Sequence, residues 1–191
     1  MSWRVLGCRG CGSSIVEAAL TLAGIPYTRE EANYETEDGL AKLFPLNPLG
    51  QVPTVVLPDG RVMTESGAII LHITPSSDPE FLRWLMFFVC AIYPTFTYGD
   101  DPKKWTAKGA DELRASTNAH REKLWRYVET VAKGPWFLGA QRSALDLYVS
   151  VMSRWRPRRE WFAKECPKLH AIAVAVDQDA RLAPVWAANF D

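Results

Sequence analysis

The stretch Asn47-Pro48-Leu49-Gly50-Gln51-Val52-Pro53-Thr54-Val55-Val56-Leu57-Pro58-Asp59-Gly60, followed by Met63-Thr64-Glu65-Ser66-Gly67-Ala68, decides the reading of this chain. It runs as a loop, a strand, an Asp-Gly turn, a second strand, and a helix that opens on an acidic-hydroxyl pair. Pro53 stands before the β-branched run Thr54-Val55-Val56, where it has no N–H to give a sheet ladder. It is either an edge-strand entry or a cis turn that exposes the backbone of Val52 to a ligand. Glu65 and Ser66 precede an apolar helix. Ser66 and the amides behind it are therefore placed either to take a carboxylate or simply to cap the helix.

Working outward, residues 3–7 form an apolar run that predicts a first strand, and the glycine-rich loop Cys8-Arg9-Gly10-Cys11-Gly12 follows. Ser14 with Glu17 three residues on predicts a capping box for a helix ending at Gly24. A second strand starts at Ile25-Pro26-Tyr27-Thr28, charged residues fill the stretch to Asp38, and Leu40 to Phe44 suggests a short helix. Ser66 to Ile73 is a further helix, so the order is β-α-β-α-β-β-α. Thr74-Pro75-Ser76-Ser77-Asp78-Pro79 breaks every pattern with two prolines and marks a boundary between domains at 1–74 and 78–191.

Beyond that boundary the period is helical. Phe81 to Tyr93 is apolar almost all round and suits a buried central helix. From about Lys108 to Ala132 an amphipathic helix is expected to bury Leu113, His120, Leu124, Tyr127, Val128 and Val131. Phe137-Leu138-Gly139 ends that region, and Ser143-Ala144-Leu145-Asp146 makes a second capping box.

The Val52-Pro53 and Glu65-Ser66 stretch resembles the glutathione-binding half of the glutathione S-transferase superfamily, in its bacterial-type cytosolic form. The pair Phe137-Leu138-Gly139 and Ser143–Asp146 resembles the buried capping motif of that family's helical domain. The resemblance implies an α/β thioredoxin-like N-terminal domain that binds glutathione and an all-α C-terminal domain that contributes an electrophile pocket. It implies that Val52 offers its backbone to the cysteinyl part of glutathione and that a cis Pro53 aims that backbone. Glu65 would face the γ-glutamyl ammonium and Ser66 its carboxylate, with Gln51 assisting; Lys42 is a candidate for the glycyl carboxylate. The activity implied is attack of the bound thiolate on a small hydrophobic electrophile in a detoxifying, twofold homodimer. No metal is implied.

Glutathione's thiol has a cysteine-like pKa of about 8.5, so roughly 3% is thiolate at neutral pH. Lowering that pKa by two units requires about 2.7 kcal/mol of preferential stabilisation of the anion. The family's donor is a Tyr, Ser or Cys near the end of the first strand. Here no tyrosine lies near that strand, and Gly10 and Gly12 stand where a serine or cysteine is expected. A one-residue shift of the loop would bring in Ser13 or Cys11, and Ser13 is the first choice. Cys8-Arg9-Gly10-Cys11 is also a C-x-x-C between strand and helix. That leaves open a glutathione-dependent thiol-disulfide reductase using Cys11, with or without Cys8, against two incidental loop thiols. The two glycines equally keep open a non-catalytic binding or interaction protein.

Tyr93, Phe96, Tyr98 and Trp105 are candidates for an apolar pocket, although aromatics around a helix more often form core. Cys90 and Cys166 read as packing residues. Arg154-Trp155-Arg156-Pro157-Arg158-Arg159 is a basic cluster, read first as a solvated face and second as a surface for an acidic partner.

Composition narrows the classes. The 191 residues are 48% hydrophobic and 23% charged, enough for one large core or two modest ones. Lys plus Arg equals Asp plus Glu at 22 each, which gives no electrostatic case for nucleic acid or an anionic membrane and is compatible with self-association. The three histidines, 72, 120 and 170, lack metal-ligand spacing. The opening residues carry no signal-like apolar core, and the stretch from Trp84 to Tyr93 is too short to span a bilayer. Four cysteines do not make a disulfide scaffold, and a reducing cytoplasm is expected.

Overall fold

The computed structural model of the chain describes residues 2–190. These divide into two compact units, one of residues 2–76 with 175–190 and one of residues 77–174. The sequence division left everything after residue 78 in the helical domain. The structure instead returns the last segment to the first unit.

The first unit holds β1 (Trp3–Gly7), α1 (Ser13–Leu22), β2 (Tyr27–Glu31), α2 (Glu37–Leu43), β3 (Thr54–Val56), β4 (Val62–Met63) and α3 (Ser66–Ile73). This is the expected thioredoxin-like order. The strands form one sheet in the order β2-β1-β3-β4. β1 runs parallel to β2, with Gly7 opposite Glu31, and antiparallel to β3, with Leu6 opposite Thr54. Val5 and Val55 face each other and are fully buried, as are Ile15, Val16, Leu20, Ile69 and Ile70 of α1 and α3, which pack together. On the other face Leu6 joins Ala32 and Leu43 of α2, with Leu46, Val52 and Val56 around them. Strict alternation along β1 thus supplies a core on both faces of the sheet.

Two local expectations are corrected. β2 starts at Tyr27, two residues after the expected Ile25, and runs on through the charged Arg29-Glu30-Glu31; it is an edge strand, where charges are tolerated and guard against further pairing. The capping box of Ser14 with Glu17 is absent. α1 starts two residues earlier than that box requires, with Gly12 as its N-cap, so the Ser14 hydroxyl donates instead to the Cys11 carbonyl at 2.8 Å. Glu17, 1% exposed, faces inward and pairs with Arg29 at 3.4 Å. Its other partner comes from the end of the chain. α10 (Ala183–Phe190) packs on α1, and the Asn189 side-chain amide donates to Glu17 at 3.3 Å.

The second unit begins with α4 (Pro79–Phe87), capped by Asp78, whose carboxylate accepts from the Glu80 amide at 3.1 Å. It continues through a wide π-helical turn at Phe88–Ile92 into α5 (Tyr93–Asp100). Pro94 explains the wide turn: it has no N–H, and its ring clashes with a regular preceding turn. The helical run Pro79–Asp100 is 22 residues and apolar enough to cross a membrane by length and composition, longer than the stretch weighed from the sequence. Its Phe81, Trp84, Leu85, Phe88 and Ile92 are buried, the pattern of a core helix. Cys90 on this run is exposed, contrary to the packing role expected of it; Cys166 is buried as expected.

α6 (Ala110–Val131) turns inward a face that only partly matches the one predicted. Val128 is buried as expected and Leu113, Leu124 and Val131 are half-buried, but His120 and Tyr127 are exposed, and Arg121 and Trp125 are buried in their stead. The hydrophobic pattern missed this because the inward stripe is led by a charged residue. Arg121 Nε donates to Thr95 Oγ1 at 2.9 Å, its Nη2 donates to the Thr95 carbonyl at 2.7 Å, and its guanidinium lies 3.9 Å from the Phe96 ring centre. α7 (Ala144–Met152) opens with the Ser143–Asp146 capping box, and α8 (Arg159–Glu165) and α9 (Pro167–Asp177) follow. Asp146 has no exposure; it accepts from the Phe137 amide and the Ser143 amide, each at 2.7 Å.

Candidate functional site

Strand direction alone collects the candidate residues at one end of the sheet. β1 and β2 run parallel, so both finish there; β3 runs antiparallel to β1 and starts there; β4 runs antiparallel to β3 and finishes there, delivering α3. The β1–β3 pairing ends with Leu6 opposite Thr54, so Gly7 and Cys8 leave one strand at the same end at which Val52 and Pro53 enter the other. The same end carries the Cys8–Ser13 loop, the residues after β2, and the Glu65-Ser66 start of α3. Loops at the carboxyl ends of parallel strands are where such sheets place ligands.

The Val52–Pro53 peptide is cis, which decides between the two readings of Pro53. No hydrogen bond uses the Val52 amide or carbonyl among the described residues, and the side chain is half-buried in the cluster around Leu6. Asn47, 5% exposed, fixes the approach to it: its side-chain amide donates to the Gln51 carbonyl and to Thr54 Oγ1, both at 3.2 Å. Gln51 itself is exposed, and its carbonyl also accepts from Thr54 Oγ1 at 2.8 Å. Gly50 takes φ +62°, and a Cβ there would stand 2.8 Å from the Leu40 side chain, so glycine is required.

Glu65 is exposed and is the N-cap of α3 at φ 63° and ψ 104°, a conformation that non-glycine residues seldom adopt. Such outliers gather at ligand-holding positions. Ser66 is the first residue of the helix, where amides point outward without intrahelical acceptors. Lys42 is engaged by Asp38 at 3.2 Å and by the Glu31 carbonyl at 3.1 Å.

The two thiol-activating candidates part company. Ser13 is fully buried, and its hydroxyl lies 3.3 Å from both the Cys8 amide and the Cys8 carbonyl, accepting from the first and donating to the second. It reaches that place because Gly7 has no side chain; a Cβ there would lie 2.6 Å from Ser13 Oγ. Cys11 is partly exposed, one residue ahead of the helix N-cap, with its sulfur 3.8 Å from the Arg9 carbonyl and 4.0 Å from the Tyr34 hydroxyl. Cys8 is buried, with its sulfur 3.7 Å from the same carbonyl. Burial raises both thiols above the ordinary cysteine value, and for Cys11 the neighbouring Cys8 adds to the rise. Tyr34 is raised likewise, by burial and then by Cys11.

Tyr34 is the residue that sequence reasoning missed. It lies 27 residues beyond Gly7 in the chain, but the parallel pairing of β1 with β2 carries the segment after Glu31 back to the end of β1. The signal was present in the β-α-β order itself, because a parallel partner brings its own following loop to the same edge.

The four aromatic candidates lie in the second unit and do not form one pocket wall. Phe96 is 5% exposed and packs edge-on against Trp155 at 5.0 Å, which also meets Tyr93 at 5.6 Å. Tyr98 and Trp105 meet edge-on in the open at 4.8 Å, 41% and 53% exposed.

Residues 13–74 match the family model described as glutathione S-transferase, N-terminal domain. The chain is 34% identical over 200 residues to the uncharacterized GST-like protein YncG of Escherichia coli K12, covering 97% of this chain and 98% of that protein. It is 26% identical to the glutathione S-transferase stcT of Emericella nidulans, over 74% of each. Among solved structures, a glutathione transferase homolog from Sulfitobacter with bound glutathione superposes with a TM-score of 0.83 at 20% identity, covering 97% of both chains. A sphingomonad glutathione S-transferase complexed with glutathione gives 0.79 at 21%, over 97% of this chain and 98% of that one. With a full-length relative, a matching domain model and the sheet-end geometry in agreement, the chain belongs to the glutathione S-transferase superfamily.

Proposed function

We propose that the first unit binds glutathione at this end of the sheet and holds its sulfur as the thiolate for attack on a small hydrophobic electrophile. The observation that carries the reading is the unpaired backbone of Val52 beside Pro53, at the same sheet end as the start of α3. Val52 is free to complete a short antiparallel pairing with the cysteinyl residue of the tripeptide. Glu65 takes the γ-glutamyl ammonium; Ser66 and the first amides of α3 take its carboxylate, and exposed Gln51 assists.

Cys11 is the proposed thiol-activating residue, with Tyr34 beside it. Ser13 is set aside because its hydroxyl is turned to the Cys8 backbone away from solvent. The raised pKa values of Cys11 and Tyr34 keep their protons in place at neutral pH, so both act as donors. One hydrogen bond to a charged acceptor contributes about 1.5–3 kcal/mol, which matches the roughly 2.7 kcal/mol needed to lower the glutathione pKa by two units. The helical unit supplies the apolar surface for the electrophile, and a cytoplasmic homodimer completes the proposal.

The test is calorimetric titration with glutathione in two buffers of different ionisation enthalpy. Saturable binding with proton release, weakened by Glu65→Gln and Ser66→Ala, supports the reading. Absence of binding at millimolar glutathione refutes it, and binding without proton release points to a non-catalytic carrier.

A second reading rests on the two thiols that converge on the Arg9 carbonyl at 3.7 and 3.8 Å. As a dithiol reductase, Cys11 attacks a substrate disulfide and releases the first thiol. Cys8 then displaces the second, and two glutathione molecules reduce the resulting Cys8–Cys11 disulfide to leave oxidised glutathione. Loss of disulfide reduction in Cys8→Ser, with conjugation intact, would favour this reading.

A further inference from the structure

Part of the basic cluster Arg154–Arg159, whose sequence reads as a solvated face, lines a half-open cavity. Asn118, Arg121 and Glu122 of α6 line one side; Arg156, Pro157 and Arg158 line the other, around about 300 Å³. That volume is at the small end of the range for ligand sites.

Three arginines meet there without a matching set of carboxylates. Arg121 is 1% exposed, and its hydrogen bonds run to neutral oxygens: Thr95 Oγ1, the Thr95 carbonyl and, at 3.5 Å, the Arg156 carbonyl. These use only part of its five donors. Burial pulls its pKa down to about 10, the direction expected of a guanidinium lacking a contact counter-ion. Asp100 is the acidic neighbour that Arg121, Arg156 and Arg114 all influence, yet neither Arg121 nor Arg156 forms an ion pair among the described residues. Glu122 lines the cavity but is held by Arg126 at 3.3 Å. Arg158 stands at φ 81°, a left-handed backbone that turns a long cationic side chain into the lining where glycine would be the relaxed choice.

A buried guanidinium with open donors, backed by two more arginines and an amide in a cavity of ligand size, is the chemistry that recognises a doubly charged oxyanion. We propose that the cavity between α6 and the Arg156–Arg158 turn binds a small dianionic ligand of the phosphate or phosphomonoester class. Arg121 is its buried anchor, Arg156 and Arg158 are its outer clamps, and Asn118 supplies a further donor. This site shares no residue with the glutathione site, so it stands or falls independently of the proposed transferase activity.

The experiment uses the full chain at low ionic strength, titrated with inorganic phosphate and with glycerol phosphate. Binding is followed by calorimetry and by tryptophan fluorescence, to which Trp155 contributes because it packs on Phe96 beneath Arg121. Saturable binding is expected, with glycerol itself inert. Arg156→Ala combined with Arg158→Gly, the latter suited to the positive φ, should weaken binding about tenfold or more. Both side chains lie at the surface, so an unchanged unfolding transition will separate loss of a ligand from loss of the fold. No saturable binding in the millimolar range, or equal binding by the double variant, overturns the proposal. Loss of phosphate binding with unchanged glutathione affinity confirms that the two sites are separate.

Discussion

Asp146 is the acceptor on which the second unit's fold is most exposed to a single change. Its carboxylate has no solvent contact and takes two backbone donors, Phe137 N–H and Ser143 N–H, each at 2.7 Å. Asp146→Ala leaves both donors unpaired, that of Phe137 buried and that of Ser143 half-buried. Hydrogen bonds to a charged acceptor are worth about 1.5–3 kcal/mol each, which sets a gross loss of about 3–6 kcal/mol. Against this, burial raises the Asp146 pKa despite those donors, so removing the charge itself gives back part of the loss. The net destabilisation is therefore expected near the lower bound, about 3 kcal/mol, a large fraction of an ordinary domain's stability. Asp146→Asn keeps one acceptor and no charge, and is expected to lose about half as much; Ser143→Ala, which removes only the cap hydroxyl, loses about 1 kcal/mol. Urea unfolding followed by near-ultraviolet circular dichroism measures all three. A loss below about 1 kcal/mol for Asp146→Ala would show that the Phe137–Ser143 turn closes without this acceptor.

Glu17 has a pKa raised above 4.5, first by burial, with Arg29 and Asn189 opposing. A raised acid stabilises fully below its unfolded value and loses that contribution as pH rises through its folded value. Wild type should therefore lose stability relative to Glu17→Gln from acid pH towards neutrality, and a difference that is constant with pH across urea midpoints would refute this. Glu65→Gly relieves the φ of 63° and should hold or raise stability by about 1 kcal/mol while weakening glutathione binding; parallel losses in both would assign Glu65 to structure alone. Cys11→Ser with Tyr34→Phe should raise the pKa of bound glutathione, read from thiolate absorbance, whereas Ser13→Ala should alter stability and leave that pKa unchanged. Native thiol labelling should modify Cys90 first and spare Cys8 and Cys166, which are buried; labelling of Cys166 before unfolding would contradict its place in the core.

The fold was legible in the sequence because turn chemistry and periodicity agreed. The Asp59-Gly60 turn, the α3 helix from Ser66 and the Ser143–Asp146 box all lie where local residues dictate them. The misplacements share a cause: long-range partners overrode local pattern. Glu17 reads as a capping residue until Arg29 and Asn189 claim it, and His120 holds the inward place in the hydrophobic pattern until Thr95 and Phe96 enclose its neighbour Arg121. Val52, Pro53, Glu65 and Ser66 were visible as a contiguous motif. Tyr34 was not, because only the pairing of β1 with β2 brings it to Cys11.

The bond from Asn189 to Glu17 joins residues 172 positions apart. On the ribosome, the first strands and α1 emerge early, yet their unit is not complete until α10 has been made. Residues 77–174, a contiguous segment, are free to fold in the interval. The usual N-terminal-first order of folding is thereby reversed, and the half of the molecule that carries the candidate glutathione site is the last to close. Any stall or truncation before residue 189 leaves the buried carboxylate of Glu17 uncovered, so a chain cut short late in synthesis loses the closure of its N-terminal half first.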